Sequence, residues 1–178
     1  MERGTLMRKK ATYHYYVEGE DEKSLLKVLK RDLCCIESGK VDKVNVIQTR
    51  FTIARIRPLK PGTIVVLIYD TDVDKNIDIL QYNVDFLKKQ KGIQCVICIP
   101  QVKNLEDELR NACKIKHARE LTKSSTKTEY KRDIISCSNL GKSLQECKFD
   151  ISKLWSKVPD NKFKRFGNDA DKIKIVDK

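Results

Sequence analysis

The carboxylates with the clearest chemical potential in this chain come in two groups. Glu18 and Glu22 stand four residues apart in Val17-Glu-Gly-Glu-Asp-Glu22, directly after the aromatic and apolar run at 11–17. Asp70, Asp72 and Asp74 alternate in Ile68-Tyr-Asp-Thr-Asp-Val-Asp74, directly after the apolar run at 64–69. Hard oxygen ligands of this kind suit Mg²⁺ or Mn²⁺, which keep several waters and take one or two protein carboxylates plus phosphate oxygens from a substrate. If the fold brings both groups to one place, the chemistry expected is metal-assisted work on a phosphate ester.

The elements that must position them follow from hydrophobic pattern. Residues 11–17 have strand composition, and Gly19 permits a turn. Leu25, Leu26, Leu29 and Leu33 then recur at helical spacing behind Asp21 as the expected cap. Gly39 breaks that helix, residues 41–47 alternate as a half-exposed strand, and 49–62 is a basic connection with a helical piece at 51–56. The runs at 64–69 and 93–99 are continuous enough for strands buried on both faces, and the stripe Ile77, Leu80, Val84, Leu87 predicts a helix over 76–89 between them. Residues 101–113 predict a helix capped by Asn104, with Glu106, Asp107 and Glu108 in its first turn.

This alternation is that of an α/β fold with a mostly parallel, Rossmann-like sheet flanked by helices. Ligands in such folds bind beyond the carboxyl ends of the strands. Glu18 and the aspartates therefore belong to the same edge. Residues 1–10 read as a loose basic tail, 11–113 as the core, and 114–178 as a basic loop and C-terminal extension packed on the same domain. Within the extension, 122–128 reads as a mobile polar centre, 134–147 as a strand or short turn followed by a helix, and 173–176 as a last strand. Leu154, Trp155, Phe163 and Phe166 are scattered anchors.

With 178 residues, 40% hydrophobic and 35% charged, one soluble domain is expected. No apolar run approaches the roughly 18 residues of a membrane helix, so no membrane association and a cytoplasmic address are expected. Seven cysteines, two of them adjacent at Cys34 and Cys35, fit a reducing compartment better than a disulfide framework. Cys95 and Cys98 have half a zinc spacing but sit in an apolar run, and with only two histidines in the chain they read as core. The net charge of +12 favours a polyanionic partner, nucleic acid first. Residues 114–132 hold seven Lys or Arg against two Glu, which makes Lys114, Lys116, Arg119, Lys123, Lys127, Lys131 and Arg132 the candidate nucleic-acid surface.

Plainer roles are open to each group. Glu18 to Glu22 would also serve as an acidic first turn for the following helix, and Glu106 is either a further metal ligand or, with Asp107 and Glu108, a response to the helix dipole. Tyr13, Tyr15 and Tyr16 read as strand filling rather than a base-stacking platform. His14 reads as an exposed strand residue and His117 as part of the basic loop; neither has a triad partner in view.

Val17-Glu-Gly-Glu-Asp-Glu22 after one strand and Ile68-Tyr-Asp-Thr-Asp72 closing another resemble, in that order, the two signatures of a Toprim domain, over about residues 11–110. The short, basic layout and the second glutamate are most similar to the OLD and RloB-like nuclease branch. The resemblance implies that Glu18 is a metal ligand or general acid/base, that Asp70 and Asp72 hold the metal, and that Glu22 helps hold a second ion about 4 Å from the first. It implies a divalent-metal-dependent nuclease cutting DNA or RNA as the effector of a phage-defence or mobile-element system, with an ATPase or other defence protein as possible partner. The basic residue that commonly completes such a site is not identifiable; Arg110, Lys172 and Lys174 are candidates by position. Two other readings remain: a Toprim binding module without turnover, and a haloacid-dehalogenase-like phosphatase, whose nucleophile strand Ile68–Asp72 also resembles. The phosphatase reading leaves Glu18 without a role and expects its aspartates on the first strand.

Overall fold

A computed structural model of the protein describes residues 11–73 and 77–176, so the expected tail at 1–10 and the start of the helix expected at 76 lie outside the described residues. Four strands, β1 (Thr12–Val17), β2 (Gly39–Lys43), β3 (Thr63–Asp70) and β4 (Ile93–Gln101), form one sheet in the order β2-β1-β3-β4. Every pairing is parallel. Helices α1 (Glu20–Arg31), α2 (Ile53–Ile56), α3 (Ile77–Lys88), α4 (Leu105–Ala112), α5 (Lys127–Ser136) and α6 (Leu140–Glu146) flank it. The protein has the expected α/β architecture with a parallel, Rossmann-like sheet.

Side chains alternate across the strands, and this divides the core into two layers. Tyr15, Val17, Val66, Ile68, Ile97 and Ile99 meet α1, α4, α5 and α6 on one face. Tyr16, Val65, Leu67, Tyr69 and Cys98 meet α3 and Phe51 on the other. The chain leaves β1 for α1 on the first face and leaves the adjacent β3 for α3 on the second. That divergence makes the carboxyl ends of β1 and β3 the topological switch point, where ligands bind in folds of this kind.

Two local devices hold the sheet's neighbours in place. A Cβ on Gly39 would lie 2.4 Å from the Tyr13 carbonyl oxygen, so only glycine lets β2 approach β1 at this point. Asn83 on α3 is fully buried and ties down the segment before α2: its Nδ2 donates to the Val46 and Thr49 carbonyls, both at 2.8 Å, and its Oδ1 accepts from the Phe51 N–H at 2.7 Å.

Several sequence expectations need correction. The strand expected at 41–47 is Gly39–Lys43, with Val46 and Ile47 packed under the sheet in a turn. No strand runs through 173–176; an isolated antiparallel bridge joins Ile36 and Lys174. The segment 134–147 contains the end of α5 and all of α6, and the supposedly mobile 122–128 leads into α5 through a complete capping box. In it the Thr126 hydroxyl accepts from the Glu129 N–H at 3.1 Å, and the Glu129 carboxylate accepts from the Thr126 N–H at 3.2 Å. His14 is buried rather than exposed, with Nε2 2.8 Å from an Asp42 carboxylate oxygen. The C-terminal anchors enter the core: Leu154 and Trp155 join the first layer and Phe163 the second. All seven cysteines are unpaired.

Replacing Asn83 with Ala strands one buried N–H and two carbonyls, each worth about 1–3 kcal/mol when left unsatisfied. The expected loss is about 3 kcal/mol in urea unfolding, with the slope unchanged; a loss below about 1 kcal/mol would show that the segment is held by its apolar contacts alone.

Candidate active site: the acidic edge of β1 and β3

Glu18 lies one residue beyond β1, and Asp70 is the last residue of β3. Extending the β1–β3 register places Glu18 beside Tyr69, one residue from Asp70. Glu18 is the strongest charge acting on Asp70, whose carboxyl is pushed up to about 7, first by burial and then by Glu18. Asp72 and Glu106 push it the same way, while a hydrogen bond from Gln101 opposes them. Glu18 is itself raised, by burial, then by Asp72 and Asp21, with Lys131 opposing. Its Oε2 is buried without a hydrogen-bond partner. A desolvated, mutually repelling carboxylate pair with an unanswered oxygen is what a cation or a proton relieves.

Glu22 is 5% exposed and tied on both oxygens. Its Oε2 accepts from the Gly19 N–H at 2.9 Å, closing the first turn of α1, and its Oε1 accepts from Gln101 Nε2 at 3.3 Å. Gly19, not Asp21, is the cap. A Cβ at Gly19 would lie 2.4 Å from Asp21 Oδ1 and 2.7 Å from Glu22 Oε2, so glycine leaves the room these carboxylates occupy. Burial, then the hydrogen-bonded and charged Asp21, with Asp70 a smaller contribution, push Glu22 up to about 8.

Gln101 organises these groups. It is fully buried, it is the register partner of Asp70, and its Nε2 donates to Asp70 Oδ1 at 2.7 Å as well as to Glu22. The indole N–H of Trp155 donates to its Oε1 at 3.3 Å, which fixes which end of the amide faces the acids. Trp155 is held in turn at φ 52, unfavourable for a bulky residue, by its backbone N–H donating to Glu108 Oε2 at 2.8 Å. Glu108 Oε1 accepts from the Val102 N–H, also at 2.8 Å. Of the three acids opening α4, Glu108 is thus a buried clamp, and Asp107 pairs with Arg110 at 2.9 Å. Glu106 reaches toward the edge, with Lys127 and Lys131 each 3.7 Å away.

β3 stops at Asp70. The Thr71 N–H turns to the Gln101 and Lys103 carbonyls, and Asp72 follows exposed in a bend, so the aspartates do not alternate along one strand. Asp74 lies outside the described residues. Among the described residues no three His, Cys, Asp or Glu side chains stand grouped to hold a metal ion. Asp70 Oδ1 and both Glu22 oxygens take N–H donors.

The basic candidates divide. Lys127 and Lys131, one turn apart on α5, face Glu106, and Lys131 acts on Glu18; Arg119 lines a pocket beside α4. Arg132 pairs with Asp133 at 3.0 Å. Lys114, Lys116 and Lys123 are exposed. The three residues suggested to complete the site are engaged elsewhere: Arg110 with Asp107, Lys172 with Asp169 at 2.7 Å, and Lys174 with Asp171 at 3.1 Å. Lys131 is the ammonium closest in effect to Glu18. The pattern Thr126-Lys-Thr-Glu129, read as a capping box, would have put Lys127 and Lys131 on one helix face. Continuing the alternation Ile97, Ile99 one step further would have placed Gln101 beside Asp70.

Asp70 and Glu22 have folded pKa values raised to about 7 and 8. The folded protein therefore binds more protons than the unfolded chain between about pH 4 and 8, so their stabilising contribution is full below about pH 4 and is lost as pH rises to about 8. Asn at position 70 keeps an acceptor for Gln101 and offers Glu18 a donor. Without divalent ions, Asp70→Asn is expected to melt several degrees above wild type at pH 8, the gap closing toward pH 4.5 in thermal scans. A gap constant over that range would mean that Asp70 is not strained by its neighbours. No protein-family model, no curated protein and no solved structure matches this chain, so its own chemistry has to carry the functional conclusion.

Proposed function

We propose that the chain is a divalent-metal-dependent nuclease that hydrolyses phosphodiester bonds of DNA or RNA at the acidic edge of β1 and β3. The observation that carries this is the meeting of Glu18 and Asp70 at the carboxyl ends of the paired strands β1 and β3, Asp70 raised by burial and by Glu18, and Glu18 by burial and by Asp72, with Glu18 Oε2 unanswered. The donor set fits a hard cation of the Mg²⁺ or Mn²⁺ type, because such an ion needs only one or two protein carboxylates when substrate oxygens complete its shell. Glu18 and Asp70 would hold it, with the exposed Asp72 nearby. Bound there, it supplies Lewis acidity toward the phosphodiester.

The remaining steps belong to the chain's own groups. Gln101 and Glu22 position Asp70, so Glu22 acts through its neighbours in this reading rather than as a ligand of a second ion. Lys127 and Lys131 supply positive charge next to the acids, where a phosphate backbone is attracted although the edge itself is negative. The net charge of +12 supports the same partner. The Toprim resemblance agrees with this reading, as does the strand order, since Asp70 closes the third strand and not the first, unlike the phosphatase alternative. Effector duty in a phage-defence or mobile-element system, with an ATPase or other defence protein, extends the same resemblance.

A binding module without turnover is the second reading, favoured by the amide that occupies Asp70 and Glu22. Wild type, Glu18→Gln and Asp70→Asn incubated with plasmid, single-stranded DNA and RNA separate the two. Cleavage is expected with Mg²⁺ or Mn²⁺, lost to a chelator, and reduced on the order of 10²-fold or more in both variants. Binding without cleavage under every condition leaves the module; metal-dependent hydrolysis of a small phosphomonoester alone, lost in Asp70→Asn, points to a phosphatase.

A further inference from the structure

Beside the acidic edge, between α4 and α5, lies a pocket of about 300 Å³, at the small end of the range for small-molecule sites. The buried Ala118 and Tyr130 form its inner wall, and the exposed Arg110, His117, Arg119 and Lys127 form its rim. Tyr130 is 1% exposed and its hydroxyl has no hydrogen-bond partner. Glu106 also lines the pocket, and its buried Oε1 makes no hydrogen bond, with the Lys127 and Lys131 ammoniums each 3.7 Å away as ionic neighbours only. Burying such groups without a hydrogen bond is costly, and it marks a place where a ligand completes the structure.

The chemistry of the lining selects the ligand. A carboxylate oxygen seeks an N–H donor, which a phosphate oxygen does not supply. A nucleobase supplies N–H donors along its edge for Glu106 and a flat apolar face for the inner wall. His117 and Arg119 carry planar groups of the kind on which bases stack. Arg110 spends one of its donors on Asp107, and Arg119 one of its donors on the Ser125 carbonyl at 3.0 Å. Each guanidinium has five, which leaves donors for the phosphates that flank a base. Glu106 connects this pocket to the edge, since it also acts on Asp70.

We propose that this pocket receives one unpaired nucleobase of the bound strand, so that the protein recognises nucleic acid that is single-stranded next to the acidic edge. A base stacked and paired in a duplex cannot enter such a pocket without being extruded. That the unpaired base would lie beside the bond that is cut rests on the nuclease reading; the base pocket itself does not.

Binding measured by fluorescence anisotropy in chelator, where nothing is cut, tests it. The probes are a labelled single-stranded 12-mer, the same sequence as a duplex, and a strand of equal length built of abasic sugar-phosphate units with the same charge. The single strand is expected to bind about tenfold tighter than the other two. In the double variant His117→Ala/Arg119→Lys the charge of Arg119 is kept but the planar groups are gone. That variant is expected to abolish the preference for the single strand over the abasic strand, with only a minor loss, from the guanidinium donors, on the abasic strand itself. Equal binding of single strand, duplex and abasic strand by wild type overturns the proposal, as does a double variant that keeps the preference or a wild type that binds none of the probes. A wild type that prefers the single strand yet never cleaves it ends the nuclease reading and leaves the base pocket standing.

Discussion

The acidic edge depends on one buried amide. Gln101 has no exposed surface, and its two ends face opposite demands: Nε2 toward Asp70 and Glu22, Oε1 toward the Trp155 indole. An amide can satisfy both only in one orientation, so the indole decides that the acids are met by a donor. Remove that orientation and two carboxyls that already repel each other lose their shared hydrogen bonds in a place with little water. The chain of contacts runs further, through the Trp155 backbone at positive φ to Glu108 and back to the loop after β4. The C-terminal segment is thereby part of the machinery that shapes the edge, although it contributes no acid to it.

Sheet topology explains why the acids meet at all. β1 and β3 are neighbours in space but are separated in sequence by β2, and the chain leaves them for opposite layers. Backbone leaving in two directions frees the strand ends from a covering helix on one side, and polar side chains are the ones that tolerate such a position. Glu18 and Asp70 occupy it. Their raised pKa values follow from this geometry: partial burial removes water, and convergence adds like charge. The fold creates the strain, and the ligand or proton that occupies the site relieves it.

Much of this was legible in the sequence, for a physical reason. The central strands are continuous apolar runs because both of their faces are covered, and the helices carry apolar stripes because one face is. Those patterns gave the fold class and put Glu18, Asp70 and Asp72 at strand ends. What escaped was set by contacts between distant residues. His14 looked exposed because its partner Asp42 lies on the next strand. Gln101 looked like the start of a helix because Pro100 suggested a strand end, yet proline closes an edge strand without ending it two residues early. The segment 114–132 reads as a basic loop with a mobile centre at 122–128 because its composition is basic and polar; its order comes from capping boxes at His117 and Thr126 and from Ala118, Leu121 and Tyr130 packed in the first layer.

The same segment reconciles an acidic site with a basic protein. A chain with an excess of twelve positive charges gains nothing from charge uniformity at its edge: a phosphate backbone needs cations nearby, while a divalent ion needs anions at one point. α5 meets both demands by holding Lys127 and Lys131 at 3.7 Å from Glu106, beyond hydrogen-bond reach. Ammoniums at that distance soften the repulsion among the carboxylates without neutralising them through tight pairing, and they remain exposed to an incoming polyanion. Glu18 feels this directly, since Lys131 is the group that opposes its rise. The arrangement keeps the acids available and the approach positive, a division of charge that a salt bridge of ideal geometry would have cancelled.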